Sequence, residues 1–257
     1  YRQAQALLDE SIDRAVATGD SRAEGLSSLE LARVEERRGQ WVNARALLSH
    51  ATELLEDSGE IFGLARCLNA LGDIARRTHE LEAAREYTAR ARTRFEEEGM
   101  RSGVADCVND LAEIAVMEGD LDRAESLSKE ALQLYDSLGS GRSMQVRLTL
   151  GHVLQQQGRW GDADIILSRA HAFFARAEAS GELARCDVLL LASRARDGDR
   201  EEFTALLEEC EEVLPDQVRL TRGGCDRLRM AIGLSGELGW EQERERLEDV
   251  LDGIDGS

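Results

Sequence analysis

The sequence contains a single proline, and aromatic residues make up only 4% of its 257 positions. A β-sandwich or barrel needs many turns and many aromatic or β-branched side chains, so this composition excludes an all-β fold. Apolar residues reach 42% and charged residues 32%, which together indicate long helices with one buried and one solvated face. The predicted fold class is therefore all-α.

Long apolar runs are also absent. No stretch approaches the roughly 18 consecutive apolar residues of a membrane-spanning helix, and the first residues, with Arg2 and Asp9, lack the basic-then-apolar order of a signal peptide. The five cysteines are an odd number without a CxxC pair, so neither a disulfide framework nor a zinc knuckle is indicated. We expect a soluble protein of a reducing cytoplasm. The single lysine, Lys129, suggests a GC-rich bacterial genome.

Positive charge is scarce as well. Acidic residues outnumber basic ones by 51 to 32, which gives a net charge of −19 at pH 7. Such a surface repels polyphosphate backbones and anionic lipid headgroups. Nucleic acids and membranes are therefore excluded as partners, and we expect a protein or peptide instead.

A pattern of small residues recurs about every forty positions. In one copy Leu71-Gly72 is followed by Ala84, twelve residues after the glycine, and by Ala91, seven residues later. The same spacings occur in Leu31-Ala32, Ala44 and Ala51, in Leu111-Ala112, Ala124 and Ala131, and in Leu150-Gly151, Ala163 and Ala170. A turn position seven residues after the small residue reads Gly39, His79, Gly119 or Gly158. Each copy is therefore predicted to be two helices joined by a tight turn.

The small side chains have a steric reason. Where two antiparallel helices cross closely, Gly, Ala or Ser lets the backbones approach, so we expect Gly72, Ala84 and Ala91 at such a crossing. One hairpin cannot bury both of its faces. Successive hairpins are therefore predicted to stack into a solenoid that is stabilised by contacts between nearest neighbours.

The Leu-Gly pair with alanines at these spacings resembles the tetratricopeptide repeat, and four copies over residues 22–181 match it. The period differs from the usual length of about 34 residues. The terminal proline is missing, and the position of the first-helix tyrosine reads Glu35, Ala75, Ala115 or Leu154. The longer period is similar to that of kinesin light chains, cell-polarity adaptors and bacterial regulators with a kinase or ATPase. The resemblance implies a right-handed α-solenoid.

The repeat pattern predicts a single superhelix over residues 1–257. Residues 1–20 align with the second helix of a repeat, because Gly19 falls forty residues before Gly59. The predicted repeats are residues 22–59, 62–99, 102–139 and 142–181, followed by a degenerate repeat at 183–214 and a degenerate or capping repeat at 218–254. We expect a piece of a longer protein, with an upstream domain such as a kinase or an ATPase.

In the tetratricopeptide family the first helix of each hairpin lines a concave groove that binds a peptide. The residues that the resemblance places in this groove are Arg33, Arg37, Arg66, Asn69, Asp73, Arg76, Arg77, Asn109, Glu113 and His152, together with Gln155. Asn69 and Asn109 occupy the same position of successive repeats, where an amide can bind the backbone of an extended peptide. The arginines either bind carboxylate or phosphate groups of a ligand or form a solvated face paired with nearby acids.

Patterns for catalysis and metal binding are absent from the sequence. The four histidines, His50, His79, His152 and His171, are spread over three repeats without HExxH spacing. Three aligned thiols, Cys67, Cys107 and Cys186, should face the interior, which leaves Cys210 and Cys225 as candidates for a redox sensor. We predict a protein that is not an enzyme and has no cofactor or metal.

Two functions are consistent with these features. The first is a binding scaffold, the interaction or sensor region of a larger bacterial signalling protein, which holds a peptide or a partner helix in its groove. The alternative is an oligomerisation arm that self-associates through its incomplete first repeat. An enzyme would need carboxylates or histidines from different repeats to meet, and no spacing in the sequence selects such a set.

Overall fold

The structure, a computed structural model, describes residues 2–217 and 222–255, with all their side chains except those of residues 209, 212–217, 222–227 and 253–255. The prediction for Cys225 lies outside these side chains. The described residues form thirteen α-helices and no strand. The helices are α1 (Arg2–Thr18), α2 (Ser21–Arg37), α3 (Trp41–Asp57), α4 (Ile61–Arg77), α5 (Leu81–Glu97), α6 (Arg101–Glu118), α7 (Leu121–Ser137), α8 (Ser143–Gln156), α9 (Trp160–Arg176), α10 (Ser180–Asp197), α11 (Arg200–Gln217), α12 (Arg222–Glu237) and α13 (Glu241–Asp255).

The helices pack as successive pairs in two compact units. In the first unit, which ends at Gly139, α2 packs on α3, α4 on α5 and α6 on α7, and α1 packs on α2. In the second unit, which begins at Ser140, α8 packs on α9, α10 on α11 and α12 on α13. Each pair also contacts the next helix of its own unit. The predicted all-α fold of stacked helix hairpins is confirmed within each unit.

Residues in the left-handed conformation end most of the helices. At the end of α2, Gly39 has a φ of 72°, and the next residue, Gln40, donates its backbone N–H to the carbonyl of Glu35 at 2.9 Å. Glycine suits this place because it has no Cβ to clash with the backbone. His79 takes the equivalent place after α4 with a φ of 62°. The tight turns that the sequence predicts at Gly39 and His79 are therefore present.

Small residues lie where the paired helices come closest. Ala84 and Ala91 of α5 are completely buried. In the second unit, a Cβ added to Gly151 of α8 would lie 2.5 Å from Cδ2 of Leu167 in α9, which is too close for two carbon atoms. The positions at which the sequence shows only Gly or Ala are thus positions where the partner helix leaves no space for more.

Leucine and alanine dominate the cores. Leu48, Leu55 and Leu68 are buried in the first unit, and in the second the rings of Phe203 and Trp240 pack with their centroids 5.3 Å apart. The three aligned cysteines are completely buried, as predicted, and Cys210 is buried too. Burial separates Cys210 from soluble oxidants, which argues against a redox sensor there. None of the described helices combines the length and the apolarity needed to cross a bilayer.

Candidate functional site

The candidate site is one face of the first unit, formed by α2, α4 and α6. We call it the groove face and define it by the residues Glu30, Arg33, Glu36, Arg66, Asn69, Asp73, Arg76, Arg77, Asn109, Asp110 and Glu113. The opposite sides of these helices carry buried residues, such as Leu31 on α2, Leu68 on α4 and Val108 on α6. The helical period therefore fixes which side chains reach the groove face.

Glu30 links α2 to α4 at one end of the groove face. Its carboxylate accepts hydrogen bonds from Arg33 at 3.1 Å and from Arg66 of the next first helix at 2.6 Å. Burial alone would raise the pKa of Glu30, but the hydrogen bond and charge of Arg66, with Arg33, lower it below its usual value. Both arginines therefore already have a carboxylate partner within the chain.

Arg76 links α4 to α6. Its guanidinium lies 2.5 Å from an oxygen of Asp73 and 2.9 Å from an oxygen of Glu113, and only 14% of its side chain is exposed. Arg77 also donates to Asp73, at 2.7 Å, and lies over the ring of Trp41 with 5.3 Å between its central carbon and the ring centroid. These two arginines are held by acidic and aromatic neighbours and do not point freely outward.

Two carboxyl groups of the groove face have a raised pKa, so their ionised forms are disfavoured. Burial, followed by the charge of Asp73, raises the pKa of Glu36. Burial and the nearby charge of Glu113 raise the pKa of Asp110 to about 8, against the partial compensation from Arg76. The region around Arg76 thus carries more carboxyl groups than the arginines neutralise.

The two asparagines are half-buried and differ in their contacts. The oxygen Oδ1 of Asn69 accepts a hydrogen bond from the thiol of Cys107 in α6, with 3.2 Å between sulfur and oxygen. The oxygen Oδ1 of Asn109 is buried and has no hydrogen-bond partner in the described part of the chain. The contact with Cys107 was not predicted, although the sequence carries a signal for it, since Cys107 follows Asn69 by thirty-eight residues, close to the length of one repeat.

The remaining predicted groove residues lie elsewhere. Arg37 is exposed at the end of α2 and makes no ion pair with the described residues. His152 lies in the second unit on α8, half-buried, with its Nε2 2.9 Å from Nε2 of Gln156. The prediction for Gln155 is wrong, because this side chain is only 2% exposed and donates to the carbonyl of Leu189 and to Oγ of Ser193. Gln155 is a packing residue between α8 and α10.

The groove face is built for noncovalent contacts. Among the described residues there is no group of three or more His, Cys, Asp or Glu side chains that could hold a metal ion. Its chemistry consists of amides, paired guanidinium groups and carboxyl groups, which can donate and accept hydrogen bonds. Such a surface suits the recognition of a polar segment.

Comparison with known proteins agrees with a fold built from helix hairpins. The tetratricopeptide repeat family matches the sequence over residues 21–97. A search of curated proteins gives no match. The family match identifies residues 21–97 as tetratricopeptide repeats, and the helices that follow them pack in the same paired manner.

Several solved structures have the same fold. BtubC from P. vanneervenii is 21% identical, with 82% of this chain and 90% of that chain covered and a TM-score of 0.68. The apo form of RapI is 12% identical, with 95% and 89% covered and a TM-score of 0.74. The Rap conjugation gene regulator of plasmid pLS20, solved with the Phr* peptide, is 14% identical, with 96% and 72% covered and a TM-score of 0.66. At these identities the likeness concerns the fold.

Proposed function

We propose that the protein is a non-enzymatic scaffold that binds an extended peptide segment of a partner protein along the groove face. In this proposal it serves as the interaction or sensor region of a larger bacterial signalling or regulatory protein in the cytoplasm. Asn69 and Asn109 contact the peptide backbone, and the surrounding polar residues select its side chains. No step of the proposal involves a cofactor, a metal or a chemical reaction.

The observation that carries the proposal is the pair of amides on neighbouring first helices. Asn69 of α4 and Asn109 of α6 occupy equivalent repeat positions, and both are half-buried on the same face. An extended peptide repeats its backbone groups at regular intervals, so equivalent amides on successive repeats can bind backbone groups several residues apart along it.

Because the arginines of the groove face are in ion pairs within the chain, we assign the main ligand contacts to the amides and not to the charged groups. Arg33, Arg66, Arg76 and Arg77 each have a carboxylate partner within the chain, so a ligand anion would have to displace an existing pair. Displacement costs the chain its own charge-assisted hydrogen bonds. Support for a peptide ligand also comes from the fold, since the Rap regulator of pLS20 binds the Phr* peptide.

A display selection tests the proposal. Random peptides would be selected on the full chain, and the affinity of a selected peptide would be compared between the unmodified chain and the double variant Asn69→Ala with Asn109→Ala. Asn43→Ala is the matched control, because Asn43 is an exposed asparagine of the second helix α3. We expect the double variant to weaken binding about tenfold or more, and Asn43→Ala to leave it unchanged. Equal binding by all three chains would remove the groove face as the site.

Self-association, the alternative function, has weaker support. Leu7 and Val16 of α1 are exposed to 67% and 57%, but they lie nine residues apart and therefore on opposite sides of the helix. They do not form the single apolar stripe that a helix interface needs. Light scattering over a range of concentrations tests this function, and a rise in mass that Leu7→Ser abolishes would favour it over peptide binding.

A further inference from the structure

Of the three aligned cysteines, Cys107 alone has an amide residue thirty-eight positions before it in the sequence. The oxygen of Asn69, thirty-eight residues earlier, lies 3.2 Å from the Cys107 sulfur. The residues thirty-eight positions before Cys67 and Cys186 are Leu29 and Leu148, both apolar and almost completely buried. A thiol at this repeat position therefore packs against apolar residues in two of the three cases. The thiol of Cys107 instead meets a hydrogen-bonding partner on the groove face.

The Cys107 thiol must be the donor in this contact. Burial raises the pKa of Cys107 far above neutrality, and the nearby carboxylates of Asp110 and Asp106 raise it further. The sulfur therefore keeps its proton at physiological pH, and the S–H group donates because the atom that faces it is the amide oxygen of Asn69, which can only accept. A protonated thiol pairs with the amide oxygen of Asn69 and leaves the amide NH2 group as the unused end.

We propose that Cys107 is a positioning residue that fixes the Asn69 amide so that its N–H groups, and not its oxygen, are offered on the groove face. The ligand group bound at Asn69 is then a hydrogen-bond acceptor, the backbone carbonyl of an extended peptide. The identity of this acceptor rests on the proposed function, whereas the orientation of the amide does not. The Asn69 side chain makes no other hydrogen bond within the described part of the chain.

Asn109 provides the internal comparison. Its oxygen is buried without a donor, so no thiol fixes this second amide. The two equivalent amides therefore differ in a way that a spectrum can detect. The side-chain NH2 signals of Asn69 should report on Cys107, and those of Asn109 should not.

The orientation is tested without any ligand. Side-chain amide spectra of the 15N-labelled full chain would be recorded for the unmodified protein, Cys107→Ala, Cys107→Ser and Cys186→Ala. Cys186 is the matched control because it is equally buried at the same repeat position, but the residue thirty-eight positions before it is Leu148. We expect Cys107→Ala to shift the Asn69 NH2 signals, Cys107→Ser to retain them because a hydroxyl also donates, and Cys186→Ala to leave them in place. Unchanged Asn69 signals in Cys107→Ala, or equal shifts in Cys186→Ala, would overturn the proposal.

A second measurement covers the case in which Cys107→Ala does not fold. The infrared S–H stretching band of the unmodified chain should contain a component at lower frequency than the component that Cys186→Ala removes, since a donating thiol has a weaker S–H bond. A single band at the frequency of the Cys186 thiol would contradict the proposed contact.

Binding separates this inference from the proposed function. For the peptide obtained by selection on the unmodified chain, we expect Cys107→Ala to weaken binding about fivefold and Cys107→Ser to weaken it less than twofold. Equal binding by Cys107→Ala would overturn the positioning role while leaving the groove face as the site. If selection yields no peptide at all, the proposed function fails, and the amide spectra still decide the orientation.

Discussion

Gly72 of α4 lies so close to Thr88 of α5 that a Cβ at position 72 would come within 2.5 Å of the Thr88 hydroxyl oxygen. Thr88 is itself almost completely buried, so its side chain cannot turn into solvent to make room. This contact holds the two helices of one hairpin at a short distance. The same steric limit explains why the repeat keeps Gly or Ala at this position.

Replacement of Gly72 by alanine should therefore destabilise the protein. The added methyl group overpacks the crossing, at a cost of about 1–3 kcal/mol, which outweighs the gain of about 1 kcal/mol from the better helix propensity of alanine. Urea unfolding followed by circular dichroism measures the difference. Gly233→Ala is the control, because a Cβ at Gly233 of α12 has open space and should stabilise.

A second variant makes the test specific to the contact. In the background Thr88→Ala, the substitution Gly72→Ala should cost less than it does alone, since the atom that it meets is gone. An equal cost in both backgrounds would show that the Thr88 hydroxyl does not limit the approach of the helices.

Replacement of His79 by glycine should stabilise the protein. His79 has a φ of 62°, where the equivalent turns carry Gly39 and Gly119. In the left-handed region, a residue with a Cβ destabilises the folded chain by about 1–2 kcal/mol. Glycine removes this strain, but its greater flexibility in the unfolded chain offsets about half of the gain in stability. We expect a net gain of about 0.5–1 kcal/mol in thermal or urea unfolding, and a loss for the reverse change Gly39→His. A loss of stability in His79→Gly would mean that the imidazole makes a contact worth more than the strain.

The sequence predicts the hairpins well because their signals are steric and local. The spacing of Gly72, Ala84 and Ala91 reflects how closely two helices can approach, and a single sequence shows this through its repeats. The aligned cysteines were correctly predicted as buried for the same reason. Side-chain partners on the groove face are harder to predict, because Arg76 can reach Asp73 or Glu113 only through rotamers that the sequence does not fix. Gln155 has the position of a groove residue, yet its amide packs against α10, since one backbone carbonyl and one hydroxyl group of α10 lie within reach as acceptors.

Replacement of Arg76 by methionine should destabilise the first unit. Arg76 is largely buried between Asp73 and Glu113, and its loss leaves two partly buried carboxylates without their shared cation. We expect a loss of about 1–3 kcal/mol in urea unfolding at neutral pH. Arg14→Met is the matched control, because Arg14 pairs with Glu10 in solvent at 77% exposure and should change stability little. Equal effects of the two substitutions would show that the Arg76 pairs are as weak as surface pairs.

Replacement of Asp110 by asparagine should change how stability depends on pH. The pKa of Asp110 is raised to about 8, chiefly by burial and then by Glu113, whereas a carboxyl group in an unfolded chain titrates near pH 4. Between these values the folded chain keeps a proton that the unfolded chain releases, so the Asp110 contribution to folding falls as the pH rises from about 4 to about 8 and is constant above. Because asparagine does not ionise, Asp110→Asn removes this loss of stability at higher pH.

The free energy of unfolding of Asp110→Asn minus that of the unmodified chain, measured in urea at pH 5, 7 and 9, should therefore increase with pH and level off. We expect a difference on the order of 2 kcal/mol at pH 9, because the side chain is only partly withdrawn from water. Asp9→Asn, at an exposed position of α1, is the control for the chemical change from Asp to Asn. A flat profile for Asp110→Asn would mean that this carboxyl group is ionised in the folded protein at neutral pH, and that Arg76 neutralises the groove face more completely than its ion pairs indicate.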